Sequence, residues 1–269
     1  MSSALELLKE GNLDAALSSA KGAVRDDPGE PEGRARLFQL FCLNGEWDRA
    51  EAQLDALLTS AMGQAPIWKQ FQMLMRLDRQ RRECHASANA PAIVGDPEDW
   101  MAGFAKSFEL HQSGDVEGGA ALRQEALDAA TPAAGSAETD GGSIAFDWIM
   151  DGDARYGPML EAFLPTEGDY CWVPFSVLTS LRIEKPSQIN HFVWAPAHFT
   201  WKDGRVLHGF VPTRYDGSES AENPAHTLAR GTDWIDAGSD VFTGIGQRTL
   251  MSAEDDLPLL EIREARFKV

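Results

Sequence analysis

The sequence predicts a two-domain α and α+β protein: an N-terminal α-solenoid over residues 1–130, a linker over 131–143, and a C-terminal α+β domain with antiparallel strands over 144–269. Three observations predict it. A glycine-centred phrase recurs in the first half at a helical-repeat offset, residues 131–143 hold no large apolar side chain, and aromatic and β-branched runs follow. With 269 residues, 43% of them hydrophobic, including eight Trp and thirteen Phe, the chain has the apolar surface such cores need.

The first helices carry Leu5, Leu8, Leu13, Leu17, Ala20 and Val24 at helical spacing, interrupted by Gly11. The phrase Gly11-Asn-Leu-Asp-Ala-Ala16 returns as Gly45-Glu-Trp-Asp-Arg-Ala50, 34 residues later, which is the tetratricopeptide period. Gly accepts the unusual backbone angle of a helix-to-helix turn, Asp14 or Asp48 favours the new helix start, and the small Ala16 or Ala50 lets two helices approach. A looser third copy begins at Gly114, with Gly119 where Ala is expected. Between the copies, 66–84 reads as a helix with Trp68, Phe71, Leu74, Met75 and Leu77 as core positions, and 86–97 as a loop.

The composition of 131–143 cannot offset the entropy of its own ordering, hence the linker. Beyond it, 170–175, 191–201 and 206–211 read as strands, with Lys202-Asp203-Gly204 as the turn of a hairpin. Residues 156–164 read as a short helix and 257–267 as a final strand.

The chain carries 24 Lys and Arg against 42 Asp and Glu, a net charge of −18. Both halves share the excess, which disfavours nucleic acid and anionic membrane as partners, because phosphate binding needs clustered cations. The one basic run, Arg76, Arg79, Arg81 and Arg82, reads as a solvated helix face. The sequence has no membrane-length apolar run and no signal-peptide pattern, and its three widely spaced cysteines, Cys42, Cys84 and Cys171, fit free thiols; a cytoplasmic protein is expected.

Chemistry-bearing constellations are sparse. Asp147, Asp151 and Asp153 offer oxygen ligands for a divalent cation, but the calcium-loop pattern fails at Arg155, where helix capping or pairing is the simpler use. Cys171 precedes His191 and His198, yet sits between Tyr170 and Trp172 in a run that reads as buried. No nucleotide-binding or nucleophile-elbow motif is present, so no catalytic residue, metal or cofactor is expected. A small hydrolase or metal-dependent enzyme using those residues stands as the alternative, and a generic peptide-binding scaffold as another.

A helical repeat offers instead a groove along its inner helices. Alignment on the 34-residue period places Gln39, Cys42, Lys69, Met73 and Arg76 on that face, joined by Phe104 and Phe108 if the third copy aligns, a surface suited to an amphipathic helix or extended segment; the alternative is that these side chains are ordinary inter-helix core.

The second half carries a more specific signal. Phe146-Asp147-Trp148-Ile149, then Asp153 through Glu161 with Arg155, Gly157, Pro158 and Leu160, then Tyr170-x-Trp172-Val-Pro174-Phe175 resemble the ImpE/TagJ family of type VI secretion accessory proteins. The likeness continues through Val193-Trp194-Ala-Pro196-Ala, Val211-Pro-Thr-Arg214-Tyr215, Gly246-Gln-Arg248 and Pro258-Leu-Leu-Glu261-Ile-Arg263. The resemblance implies a non-enzymatic cytoplasmic protein that binds the N-terminal helix of the small contractile-sheath subunit and is linked to sheath handling with the ClpV-type ATPase. Aromatics paired with prolines suit strand edges, so most of these motifs are expected to serve the fold. Arg155, Arg214 and Arg248 are expected to form buried forks for Asp147 or Glu161, with partner contact as the other use.

Overall fold

The computed structural model describes residues 4–60, 65–165 and 169–268. The first half is built of helices α1 (Ala4–Lys9), α2 (Leu13–Asp26), α3 (Pro31–Leu43), α4 (Trp47–Ser60) and α5 (Ala65–Ser87). A two-residue strand, β1 (Ala92–Ile93), separates them from α6 (Asp99–Gln112) and α7 (Val116–Ala129). The three repeat glycines turn the chain between paired helices at φ +83° for Gly11, +71° for Gly45 and +95° for Gly114, a region closed to most side chains. Asn12, not Asp14, caps α2, its Oδ1 accepting the Ala15 N–H at 3.0 Å; Asp14 lies in the first turn. Ala16 and Ala50 are fully buried where the helices cross. Gly119 departs from the Ala of the other copies because a Cβ there would lie 2.9 Å from the Ser107 carbonyl oxygen of α6. Leu8, Leu13, Leu17 and Ala20 are buried and Val24 half-buried, while the Leu5 side chain lies outside the described residues.

The second half comprises β2 (Gly135–Thr139), β3 (Gly142–Phe146), β4 (Met150–Asp151), β5 (Met159–Leu164), β6 (Asp169–Pro174), β7 (Leu178–Ile183), β8 (Trp194–Trp201) and β9 (Val206–Pro212). A one-turn helix α8 (Pro224–Thr227) precedes β10 (Thr232–Asp236), β11 (Phe242–Gly246), β12 (Thr249–Met251), β13 (Asp256–Pro258) and β14 (Ile262–Phe267). Nine strands form one sheet in the order β1-β6-β5-β9-β8-β7-β14-β2-β3, antiparallel except for the β1–β6 pair. A β10–β11 ribbon and a three-stranded β13-β12-β4 sheet complete the fold.

Four sequence expectations are corrected. The linker 131–143 contains β2, paired on both sides by β14 and β3. Its small residues belong there because backbones crowd: a Cβ on Gly135 would lie 2.0 Å from the Arg266 carbonyl oxygen. The loop 86–97 contributes β1 to the sheet, pairing Ala92 with Cys171. The helix expected over 156–164 gives way to a turn and then β5, all six residues of which are buried; a strand covered on both faces shows no alternation by which to recognise it. The final strand 257–267 is broken by a 3-10 turn, Leu259–Glu261, between β13 and β14. The hairpin at Lys202-Asp203-Gly204 forms as expected, joining β8 to β9 with Gly204 at φ +86°.

Packing places the helices on one face of the large sheet. One apolar cluster joins Phe38, Phe41, Trp68, Phe71, Phe104 and Phe108 of the helices to Tyr156, Met159, Phe163, Trp172 and Trp194 of the second half. A second cluster, with Leu160, Val173, Phe175, Leu181, Phe199 and Ile262, fills the opposite face. β1 also crosses from the helical half into the sheet, so the core is continuous across residue 130.

Candidate functional site

The inner face of the helical repeat is closed by the protein's own sheet. Cys42 is fully buried, and burial pushes its thiol pKa well up. Phe104 is fully buried under Gly157, and Phe108 sits edge-on to Trp172 at 5.1 Å between ring centroids. Gln39 is half-buried and donates its Nε2–H to Asn190 Oδ1 at 3.2 Å. These four candidates are packing groups between the two halves, because the face that a solenoid offers to a partner is occupied here by β5, β6, β8 and the Ile189–Phe192 turn. The other three, Lys69, Met73 and Arg76, gather elsewhere. They line a depression between α4 and α5 with Glu51, Leu54, Asp55, Gln72, Met75 and Arg79.

Where the helices meet the sheet lies a buried ionic network. Glu161 on β5 is fully buried and accepts a fork from Arg81 of α5, Nε at 2.8 Å and Nη2 at 3.0 Å. It also accepts Nη2 of Arg248 and the Tyr170 hydroxyl. Burial raises the pKa of Glu161, but Arg81 and Arg248 outweigh it and hold the carboxyl well below the usual range. Arg248, fully buried, gives Nη1 to Asp151 and Nε to the Pro212 carbonyl at 3.0 Å. Its guanidinium lies 4.8 Å from the Tyr156 ring and 5.0 Å from the Tyr215 ring. Asp151 accepts the Tyr215 hydroxyl at 2.8 Å and the Asp153 N–H at 2.9 Å. Asp153 in turn holds Arg155 through Nη2 at 2.6 Å and accepts the Gly244 N–H at 2.8 Å.

Three arginines thus face three carboxylates, each charge compensated, with only Arg155 reaching toward the surface. Burial pushes Asp151 up to about 6, with Arg248 opposing and the neighbouring Asp153 adding to the rise. Arg214 forks between carbonyls, Nη1 bonding Leu43 O at 2.8 Å at the end of α3 and Thr227 O at 2.6 Å in α8. Trp194 donates to Asp78 of α5 at 3.2 Å, and the same carboxylate accepts Arg82 Nε at 3.2 Å. His85 Nε2 and the Tyr156 hydroxyl lie 3.1 Å apart. The chemistry of this arrangement is positional: directional, charge-assisted bonds fix one docking of helices on sheet.

The motif residues therefore sort by burial. Trp172, Pro174, Trp194, Tyr215, Arg214 and Arg248 are buried, Arg155 is nearly so, and Trp148 and Pro196 are half-buried. Asp147 and Glu261 are exposed. Arg248 pairs with Glu161 as expected, and also with Asp151; Arg155 uses Asp153 instead, Arg214 bonds backbone carbonyls rather than a carboxylate, and Asp147 takes no part in these pairs. Asp151 and Asp153 are thus engaged by guanidinium groups, and among the described residues no group of three His, Cys, Asp or Glu is placed to hold a metal ion. Cys171 is buried on β6 with its thiol directed at the Ala162 carbonyl, 3.6 Å away.

The members of this buried network that sequence reasoning missed are Asp78, Arg81 and His85. Arg81 belongs to the basic run expected to be solvated, yet it is buried. The signal was the helical stripe itself: Leu74, Leu77, Asp78, Arg81 and His85 follow one face of α5, and the polar members continue the apolar ones toward the sheet. No described helix is long and apolar enough to cross a membrane.

Comparison with known proteins accords with this architecture. Residues 143–266 match the family described as ImpE protein, and residues 7–72 match the tetratricopeptide repeat. The type VI secretion system accessory component TagJ of Pseudomonas aeruginosa is 34% identical over 263 residues, covering 98% of this chain and 90% of that protein. A crystal structure of a Vibrio parahaemolyticus protein shares the fold, with a TM-score of 0.84 at 24% identity over 99% of this chain and 97% of the other. With its repeat, its sheet and its arginine-bearing motifs all inside a match that runs almost end to end, the chain belongs to the ImpE/TagJ family.

Proposed function

We propose that this protein is a non-enzymatic accessory component of a bacterial type VI secretion system, acting in the cytoplasm. It holds the N-terminal helix of the small contractile-sheath subunit and assists sheath handling alongside the ClpV-type ATPase. The observation that carries the reading is the relatedness to TagJ across both halves of the chain. The charged groups of the buried network support a scaffold rather than a catalyst, since they are committed to one another. A net charge of −18 adds that neither nucleic acid nor an anionic membrane is the natural partner.

Because the sheet covers the repeat's inner face, the partner helix is assigned to the α4–α5 depression. Met73 supplies its accessible apolar surface above the buried Leu54 and Met75, and Glu51, Asp55, Lys69, Arg76 and Arg79 its polar rim. Such a surface takes the apolar stripe of an amphipathic helix, with flexible Met adapting to it. The test is fluorescence anisotropy with a labelled peptide of the sheath subunit's N-terminal helix and the full-length protein. Saturable binding is expected, weakened about tenfold or more by Met73→Glu, a loss of about 1.4 kcal/mol or more. Absence of binding to protein shown folded by circular dichroism overturns the partner, and unchanged binding by Met73→Glu overturns the surface.

A further inference from the structure

A second groove lies on the other side of α4, where α2, α3 and α4 meet. It is lined by Lys21, Val24, Arg25, Arg34, Leu37, Phe41, Arg49, Ala52 and Gln53, with four cations and no carboxylate among its described lining residues. That is the reverse of the chain as a whole, in which 42 acidic groups face 24 basic ones. Arg25 and Arg49 meet Asp26 and Glu46 at the outer rim. No ion pair involves Lys21 or Arg34 among the described residues; Arg34 is held in place by Pro28 O at 3.0 Å and Gln53 Oε1 at 3.2 Å. Lys21 Nζ and the Arg49 guanidinium stand 5.6 Å and 4.3 Å from the centre of the Phe41 ring.

We propose that this groove is a docking surface for an acidic peptide segment bearing an apolar side chain. Lys21 and Arg34, which no carboxylate pairs with among the described residues, stand beside the paired Arg25 and Arg49 over an aromatic floor, and an anionic occupant gains charge-assisted bonds from them. Arg34, fixed by its Nε and Nη1 bonds, keeps Nη2 for a carboxylate, and the Val24, Leu37 and Ala52 walls suit a single aliphatic side chain. Long uniform polyanions are poorer occupants. Charges are screened within about 8 Å at physiological salt, so a short segment meets chiefly the groove, whereas a duplex or an anionic vesicle also meets the acidic remainder of the surface.

The proposal is independent of the sheath-helix reading, since it concerns the opposite side of α4 and a partner of different charge. The test titrates full-length protein into a fluorescein-labelled synthetic peptide with paired glutamates on each side of one leucine, with anisotropy as the readout. Saturable binding is expected, weakened about tenfold by the double substitution Lys21→Glu with Arg49→Glu, weakened by added salt, and weakened by leucine-to-serine in the peptide. Both positions are exposed, so the variant keeps the fold, checked by circular dichroism and by its undiminished binding of the sheath-helix peptide if wild type binds it. No saturable binding, equal binding by the double variant, or a preference for anionic vesicles over the peptide overturns the proposal.

Discussion

Glu161 is the residue on which two arginines from different parts of the chain converge, Arg81 from α5 and Arg248 from the turn before β12. Removing one member of a buried ion pair leaves an uncompensated charge, at a cost of about 3–5 kcal/mol. Glu161→Gln is therefore expected to lower the chemical denaturation midpoint by that equivalent. Glu261→Gln, at an exposed position of the same family motifs, is expected to change stability by less than about 0.5 kcal/mol; equal effects would dispose of the distinction by burial. Asp151 makes the opposite contribution with pH. Its pKa rises in the folded state from an ordinary 3.8 to about 6, chiefly by burial, so the folded state binds the proton more tightly than the unfolded one. Its stabilisation is complete below about pH 4 and is lost as pH climbs through 6, about 3 kcal/mol in all. Glu161, held low, stabilises above its ordinary value and loses that stabilisation only as the solution turns acid. Denaturant titrations between pH 4 and 7 are expected to show a falling slope in wild type that Asp151→Asn flattens; identical slopes would refute the assignment.

At the scale of elements, close approaches decide what each segment tolerates. Gly157, at φ +51° in the turn before β5, lies where a Cβ would stand 2.4 Å from the Phe104 ring of α6. Gly157→Ala combines left-handed strain with overpacking at the helix–sheet junction, and a loss of about 2–4 kcal/mol is expected. Gly204→Ala, at φ +86° with nothing within 4 Å of the added Cβ, should lose about 1 kcal/mol; denaturation midpoints compare the two. The same contrast explains what the sequence could disclose. The glycine turns at 11, 45 and 114 and the β8–β9 hairpin were legible because backbone geometry there is set by local chemistry. β5 and β2 were not: one is buried on both faces and shows no period, and the other is selected for small size by its neighbours. The groove residues were half legible. Period alone placed Cys42, Phe104 and Phe108 on the inner face, but only tertiary packing reveals that the sheet covers it, leaving Lys69, Met73 and Arg76 together outside. Arg81 was hidden because a charged side chain reads as solvated until its buried partner, 80 residues away, is known.

The whole molecule is held by bonds that join its two halves. Arg81 reaches Glu161, Arg214 reaches the Leu43 carbonyl, Trp194 reaches Asp78, His85 reaches Tyr156, and Arg230 reaches the Leu8 carbonyl. Beneath them the helices and one sheet face share a single apolar cluster. Separating the halves would expose that cluster and strand buried charges on both sides, so an intermediate with one half folded carries nearly the full cost of unfolding without the full gain in chain entropy. A single cooperative transition follows. Far-ultraviolet circular dichroism reports chiefly α1 to α7, while tryptophan fluorescence draws on Trp148, Trp172, Trp194, Trp201 and Trp234 of the second half as well as Trp47, Trp68 and Trp100 of the first. The two denaturation curves are expected to coincide in wild type and to shift together in Glu161→Gln. A helical signal that survives loss of the fluorescence transition, or the reverse, would mean that the halves fold separately, and the inner face of the repeat would then be open to a partner whenever the sheet lets go.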